Sequence, residues 1–202
     1  MSSKLLGNLK CGLAFIVSAP AGTGKTTLVQ MLAKEFDCVV SSISMTTREP
    51  RSGEVPGVDY DFLTKEEFEE KIAAGEFLEY VELYGNYYGT SKKKVEELRD
   101  QGKHVILTID TQGARQLMDK FDAVYIFVSP PSFEELRKRL LSRKTETSEV
   151  INERLEWAKK ELEIVSEYDY NIVNDNLLVA YQALRSILIA EEHRVERVSE
   201  AK

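Results

Sequence analysis

The segment Ser18-Ala19-Pro20-Ala21-Gly22-Thr23-Gly24-Lys25-Thr26-Thr27 holds the residue types needed to grip a chain of phosphates. Gly22 and Gly24 let the backbone curl toward an anion, and a helix starting at Lys25 adds exposed N–H groups. Lys25 can bridge two phosphates, and the Thr26 hydroxyl can hold Mg²⁺. The usual form of this loop carries glycine where Ala19 stands, so Ala19 needs a negative φ or stores strain. The bland reading is a glycine-rich turn with a chance lysine. It is outweighed because strand, Gly-x-Gly-Lys-Thr and helix occur in the required order. An acidic partner for the metal is expected at a nearby strand end, and Asp110 closes the apolar run His104 to Ile109. Alone, such an aspartate is often only a turn former.

A second cluster suits a second anion. Arg48 and Arg51 flank Pro50, and guanidinium forks pair bidentately with phosphate oxygens. Tyr60 and Tyr88 could add hydroxyl donors. The bland alternative is a solvated basic loop neutralised by Glu49 and Glu54. Glu79 sits in apolar company, beside Phe77, Leu78 and Tyr80. Its carboxylate could accept the paired N–H donors of a guanine edge, which adenine lacks. Otherwise it is an outward residue of an alternating strand. The basic run Arg137 to Lys144 reads equally as solvated helix surface.

These sites are local exceptions in an acidic chain. It has 202 residues, 27 Lys and Arg against 34 Asp and Glu, and a net charge of −7. That length allows one or two domains, and that charge argues against coating a nucleic acid. Cys11 and Cys38 form no pair motif and read as buried thiols, which fits a reduced, cytoplasmic setting. Two histidines, His104 and His193, argue against a His-rich metal site. The longest apolar stretch, Leu13 to Val17, is far too short for a membrane span, and no signal-peptide pattern follows the start.

Positioning these groups requires alternating strands and helices. Buried strands are predicted at Leu13 to Val17, Val39 to Ile43, His104 to Ile109, Ala123 to Val128 and Tyr170 to Val173. Helices are predicted at Lys25 to Glu35, Thr64 to Ala74 (with Thr64 and Glu67 as a capping box), around Val95 and Leu98, Ala114 to Met118, after Ser132, Ser148 to Val165 and Leu177 to Glu192. Phe77 to Leu83 reads as a short strand, Thr46 to Asp61 as aperiodic, and the tail Arg194 to Lys202 as frayed. The pattern implies an α/β fold with a largely parallel sheet, helices on both faces, and a ligand crevice beyond the strands' carboxyl ends.

The sequence resembles the guanylate kinase family over nearly its whole length. The resemblance is carried by SAPAGTGKTTL, SISMTTREPRSGEVPGVDYDF, FLEYVELYGNYYGTS, IDTQGA, the VSPPS segment near 130 and YDYNIVND. It implies a nucleotide kinase with a phosphate-loop fold: a core at 1–41, 91–136 and 161–202, an inserted mixed α/β GMP lobe at 42–90 and a helical lid at 137–160. The family-like unit spans about 10–192. The activity implied is direct in-line transfer of the ATP γ-phosphoryl group to GMP, and to dGMP, with Mg²⁺. By resemblance, residues 19–27 and Asn174 bind ATP, and Ser44, Glu79, Thr90 and Thr108 surround guanine. Arg48, Arg51, Tyr60 and Tyr88 hold the GMP phosphate, Thr26 and Asp110 serve the metal, and Lys25, Asp110, Arg139, Arg143 and Arg154 serve catalysis.

Three departures from the family pattern stand out: Ala19 in the loop, Thr108 where an acidic residue is common, and Lys144 after Arg143 in place of glycine. Thr108 cannot supply a full charge, so weaker or altered acceptor discrimination is expected. The residues leave open another acceptor on the same scaffold, or a non-catalytic guanylate-kinase-like binding module. Such a module usually erodes the phosphate loop, which is intact here. Monomer and homo-oligomer are both open.

Overall fold

The computed structural model describes residues 4–83, 85–142 and 148–200. Its centre is a five-stranded sheet made of β1 (Ala14–Ser18), β2 (Val39–Ser41), β7 (His104–Leu107), β8 (Val124–Ser129) and β9 (Tyr170–Val173). The order is β2-β7-β1-β8-β9, and every pairing is parallel. β1 and β8 are buried along their whole length, as their near-continuous apolar runs require of strands covered on both faces. On one face Leu28, Val29 and Leu32 of α1 (Lys25–Glu35) pack with Ala180, Leu184 and Leu188 of α7 (Leu177–Glu192). On the other lie Val95 of α3 (Lys92–Asp100) and Ala114 and Leu117 of α4 (Thr111–Leu117). The chain turns outward from β1 to β2, returns to β7 and crosses to β8. The carboxyl end of β1 is therefore where a ligand crevice is expected.

A second sheet, order β4-β3-β6-β5, comes from β3 (Met45–Thr46), β4 (Asp61–Phe62), β5 (Phe77–Leu83) and β6 (Asn86–Ser91). Phe68 of α2 (Lys65–Ala73) stacks between Phe77, at 4.4 Å, and Tyr87, at 5.2 Å. Gly89 makes room for this: a Cβ there would lie 2.8 Å from the Phe77 ring. The expected capping box at Thr64 and Glu67 is present. A third cluster joins Leu136 and Leu140 of α5 (Phe133–Ser142) to Ile151, Leu155 and Ala158 of α6 (Ser148–Glu163).

The structure corrects several local expectations. The strand from His104 stops at Leu107, because Asp110 turns away to cap α4 by accepting from the Gly113 N–H at 2.8 Å. Residues 86–91 form β6, whose pairing with β5 and β3 supplies what local pattern did not signal. Val195–Glu200 form a further helix, α8, from which Arg197 reaches Asp122 at 3.6 Å. Cys11 is exposed and Cys38 half-buried, so neither is the buried thiol expected; both are free.

The N-terminal segment is fastened to the end of α7 by a buried acid. Glu192, 2% exposed, accepts from the Gly7 N–H at 2.6 Å, the Asn8 N–H at 3.0 Å and Asn8 Nδ2 at 2.6 Å. His104 Nδ1 accepts from the Leu13 N–H, which leaves Nε2 to donate to Glu192 at 2.5 Å. Burial holds His104 below its ordinary pKa, consistent with a neutral ring. Replacing Glu192 by alanine strands one buried donor, His104 Nε2, and three part-buried ones. Urea unfolding should show about 3 kcal/mol lower stability, and a loss below about 1 kcal/mol would contradict this network.

Candidate active site

Beyond the carboxyl end of β1 the backbone forms a cradle. Gly22 and Gly24 have φ of +91° and +92°, the left-handed region open to glycine at little cost. Thr23 locks the turn, its Oγ1 donating to the Pro20 carbonyl at 2.8 Å. Ala19 is unstrained: Asp119 is the one non-glycine residue with positive φ among the described residues. It is also buried in the core beside α1 and α7. Alanine therefore replaces glycine here without backbone penalty.

The cradle opens on a cavity of about 340 Å³ lined by residues 19–27, Asp110, Arg154, Trp157 and Glu161. Lys25 lies in it, its ammonium pushed below the usual range by burial and supported by Glu161 and Asp110. Burial also raises both acids, Glu161 to about 7 and Asp110 above the usual range. Thr26 and Asp110 both line this cavity. Among the described residues no three acidic, histidine or cysteine side chains form a metal cage. One hydroxyl and one carboxylate suit Mg²⁺, which keeps waters and takes remaining ligands from substrate phosphates.

A second cavity, about 450 Å³, shares Thr26 with the first and is lined by Ser42, Ser44, Glu54, Tyr60 and Thr108, among others. At its edge Arg48 lies over the Tyr60 ring at 5.4 Å, and Tyr60 packs against Tyr88 at 6.2 Å. Arg51 is exposed, its backbone N–H donating to Glu54. Glu79 is not an outward residue. It is 4% exposed, accepts from Thr90 Oγ1 at 2.6 Å, and lies against the first turn of α4. Gly113 permits that approach, since a Cβ there would sit 2.5 Å from Glu79 Oε2. Burial pushes the Glu79 carboxyl up to about 7.

Two expected residues sit differently from a direct phosphate contact. Asn174 Nδ2 donates to the Thr23 carbonyl at 2.6 Å, so it braces the loop, and a Cβ on Gly24 would come within 2.7 Å of it. Arg139 is turned to the Asn174 carbonyl at 3.0 Å and to Glu135, away from the cavity lining. Arg143 and Lys144 lie outside the described residues. Trp157 and Glu161 were not anticipated. Their spacing of three and seven from Arg154 puts all three on one face of α6, a signal the sequence does carry.

A guanylate kinase family model matches residues 12–191. The guanylate kinase of Protochlamydia amoebophila is 60% identical over 191 residues, covering 95% of this chain and 97% of that one. The chain belongs to the guanylate kinase family. The guanylate kinase of Chlamydia trachomatis serovar D is 50% identical over 90% of this chain and 89% of its own. Among solved structures, guanylate kinase from Anaplasma phagocytophilum superposes with a TM-score of 0.77 at 34% identity, covering 94% of this chain and 90% of that one.

Proposed function

We propose that this chain transfers the γ-phosphoryl group of ATP to GMP, and to dGMP, giving ADP and GDP by direct in-line attack. The observation that carries this reading is that two cavities share Thr26: one holds the glycine cradle with Lys25, and the other is lined by Tyr60, over which Arg48 lies. In this reading residues 42–90 are the acceptor lobe and 137–160 the lid. No helix among the described residues is long and apolar enough to cross a membrane. The place proposed for this activity is cytoplasmic purine nucleotide metabolism.

The attacking group is a phosphate oxygen of GMP and needs no strong general base, so catalysis reduces to positioning and charge compensation. The cradle amides and Lys25 hold the ATP phosphates. Thr26 and Asp110 would hold Mg²⁺, which when bound neutralises charge on the β- and γ-phosphates. Arg154 adds charge from α6. Arg139 reaches the phosphates only by leaving the Asn174 carbonyl, so its role belongs to a more closed lid that also expels water. At the acceptor end Thr90 fixes the Glu79 carboxylate for the guanine donors, and Arg48, Arg51, Tyr60 and Tyr88 receive the monophosphate. Ser44 and Thr108 supply hydroxyls where the family often has an acid at the second position. Acceptor discrimination is therefore weaker or altered, not abolished.

Kinetics of two variants separate these roles. Lys25→Met should lower kcat by about 100-fold or more, whereas Arg48→Met should mainly raise KM for GMP. A kcat within about threefold of wild type for Lys25→Met would reject the phosphate-loop assignment.

Glu79 adds a pH dependence. Its carboxyl, at about 7 in the free protein, is protonated below that pH and then offers guanine a donor where an acceptor is needed. KM for GMP should fall as pH rises from about 6 to about 8. Glu79→Gln should show a flatter profile. The GMP phosphate itself ionises near pH ~6, but identically for both proteins, so equal slopes would reject the role of Glu79.

A further inference from the structure

The arginine loop already holds an anion, supplied by one of its own residues. Arg48 Nη2 donates to Oε1 and Oε2 of Glu54, both at 2.9 Å. Arg48 Nη1 donates to the Glu49 carbonyl at 2.7 Å. The Arg51 backbone N–H donates to Glu54 Oε2 at 2.8 Å. The side chains of Arg48 and Glu54 are 14% and 20% exposed, so this pair is partly shielded from bulk water. Glu54 also lines the second cavity, with Tyr60 and Ser44. Tyr60 faces the guanidinium, and the Tyr88 hydroxyl lies beside it.

These are donors that a phosphate monoester dianion would seek: the guanidinium terminus and a neighbouring amide. A carboxylate and a phosphate cannot share them at hydrogen-bond distance without strong like-charge repulsion in a part-buried site. The carboxylate is well held. The Arg51 amide and the Arg48 guanidinium keep Glu54 below the usual carboxylate range, so it stays ionised at neutral pH. An incoming phosphate must displace it, and the loop is open to phosphate only in the fraction of molecules where the pair is broken.

We infer that Glu54 is a further specificity-determining residue of the acceptor site, a built-in carboxylate that occupies the phosphate donors of Arg48 until an acceptor phosphate displaces it. The inference deepens the proposed function and rests on the reading that this loop receives the acceptor phosphate. It has two physical consequences. Acceptor affinity is set below what Arg48 and Arg51 alone would give. Ligands carrying less charge than a phosphate dianion fail to open the loop, because they offer the guanidinium no more than Glu54 already does.

Glu54→Gln tests this, since glutamine keeps the size and one acceptor but removes the charge. KM for GMP should fall by about fivefold, as the self-bound fraction is lost. Inorganic phosphate, added without nucleotide, should raise Tm more in the variant than in wild type. A KM that is unchanged or raised would make Glu54 a brace for Arg48 and overturn the inference, as would a phosphate-induced Tm shift no larger than that of wild type. Should Glu54→Gln fail to fold, Glu54→Asp, too short to span both partners, carries the same two expectations and the same two refutations. If wild type transfers nothing to GMP, the proposed activity fails instead, and the phosphate titration alone decides the role of Glu54.

Discussion

A lysine ammonium recessed in a cavity at the end of a parallel sheet is the constraint around which this molecule is arranged. Lys25 opens α1 directly after two left-handed glycines, where the chain leaves a strand buried along its whole length. Its charge is unfavourable there without compensation. That compensation comes from distant parts of the chain, Asp110 at the start of α4 and Glu161 on α6. Asn174, just past β9, ties the loop's Thr23 carbonyl in place. Two distant elements, α4 and α6, thus compensate one cation while Asn174 braces its loop, and the cavity they leave suits a ligand carrying negative charge.

The Arg48 loop repeats the same electrostatic problem in a different material. There the cation is Arg48, set on an irregular loop between two short strands, and its counter-charge is the nearby Glu54. The two solutions differ in consequence. Lys25 is balanced by acids whose pKa values are themselves raised by burial. Arg48 is paired with an acid held firmly ionised. The net charge of −7 averages over these regions and says little about either.

The glycine cradle, α1, the capping box of α2 and the span of α7 were legible in the sequence because their signals are local: caps, glycines and helical periodicity. β6 was not, because Asn86–Ser91 becomes a strand only by pairing with β5 and β3. Asp110 was legible as an acid near a strand end, but its capping of α4 depends on where β7 stops. The family pattern pointed to Glu79, yet only the packing explains its burial, through Gly113 and Thr90. Glu54 could be read as a neutraliser of the arginine loop. That it binds the same guanidinium atoms a phosphate would use, while Glu49 contributes only its carbonyl, is visible in three dimensions alone.

In the proposed reaction a phosphoryl group passes from ATP to a guanine nucleotide between two cavities that share Thr26. Radiolabel transfer from γ-labelled ATP to GMP, dGMP, AMP, CMP and UMP in parallel tests it most directly. Label should appear in the diphosphates of GMP and dGMP, with the other three acceptors at least about 100-fold poorer in kcat/KM. Equal or greater transfer to AMP, CMP or UMP, or transfer to none of the five, would contradict it.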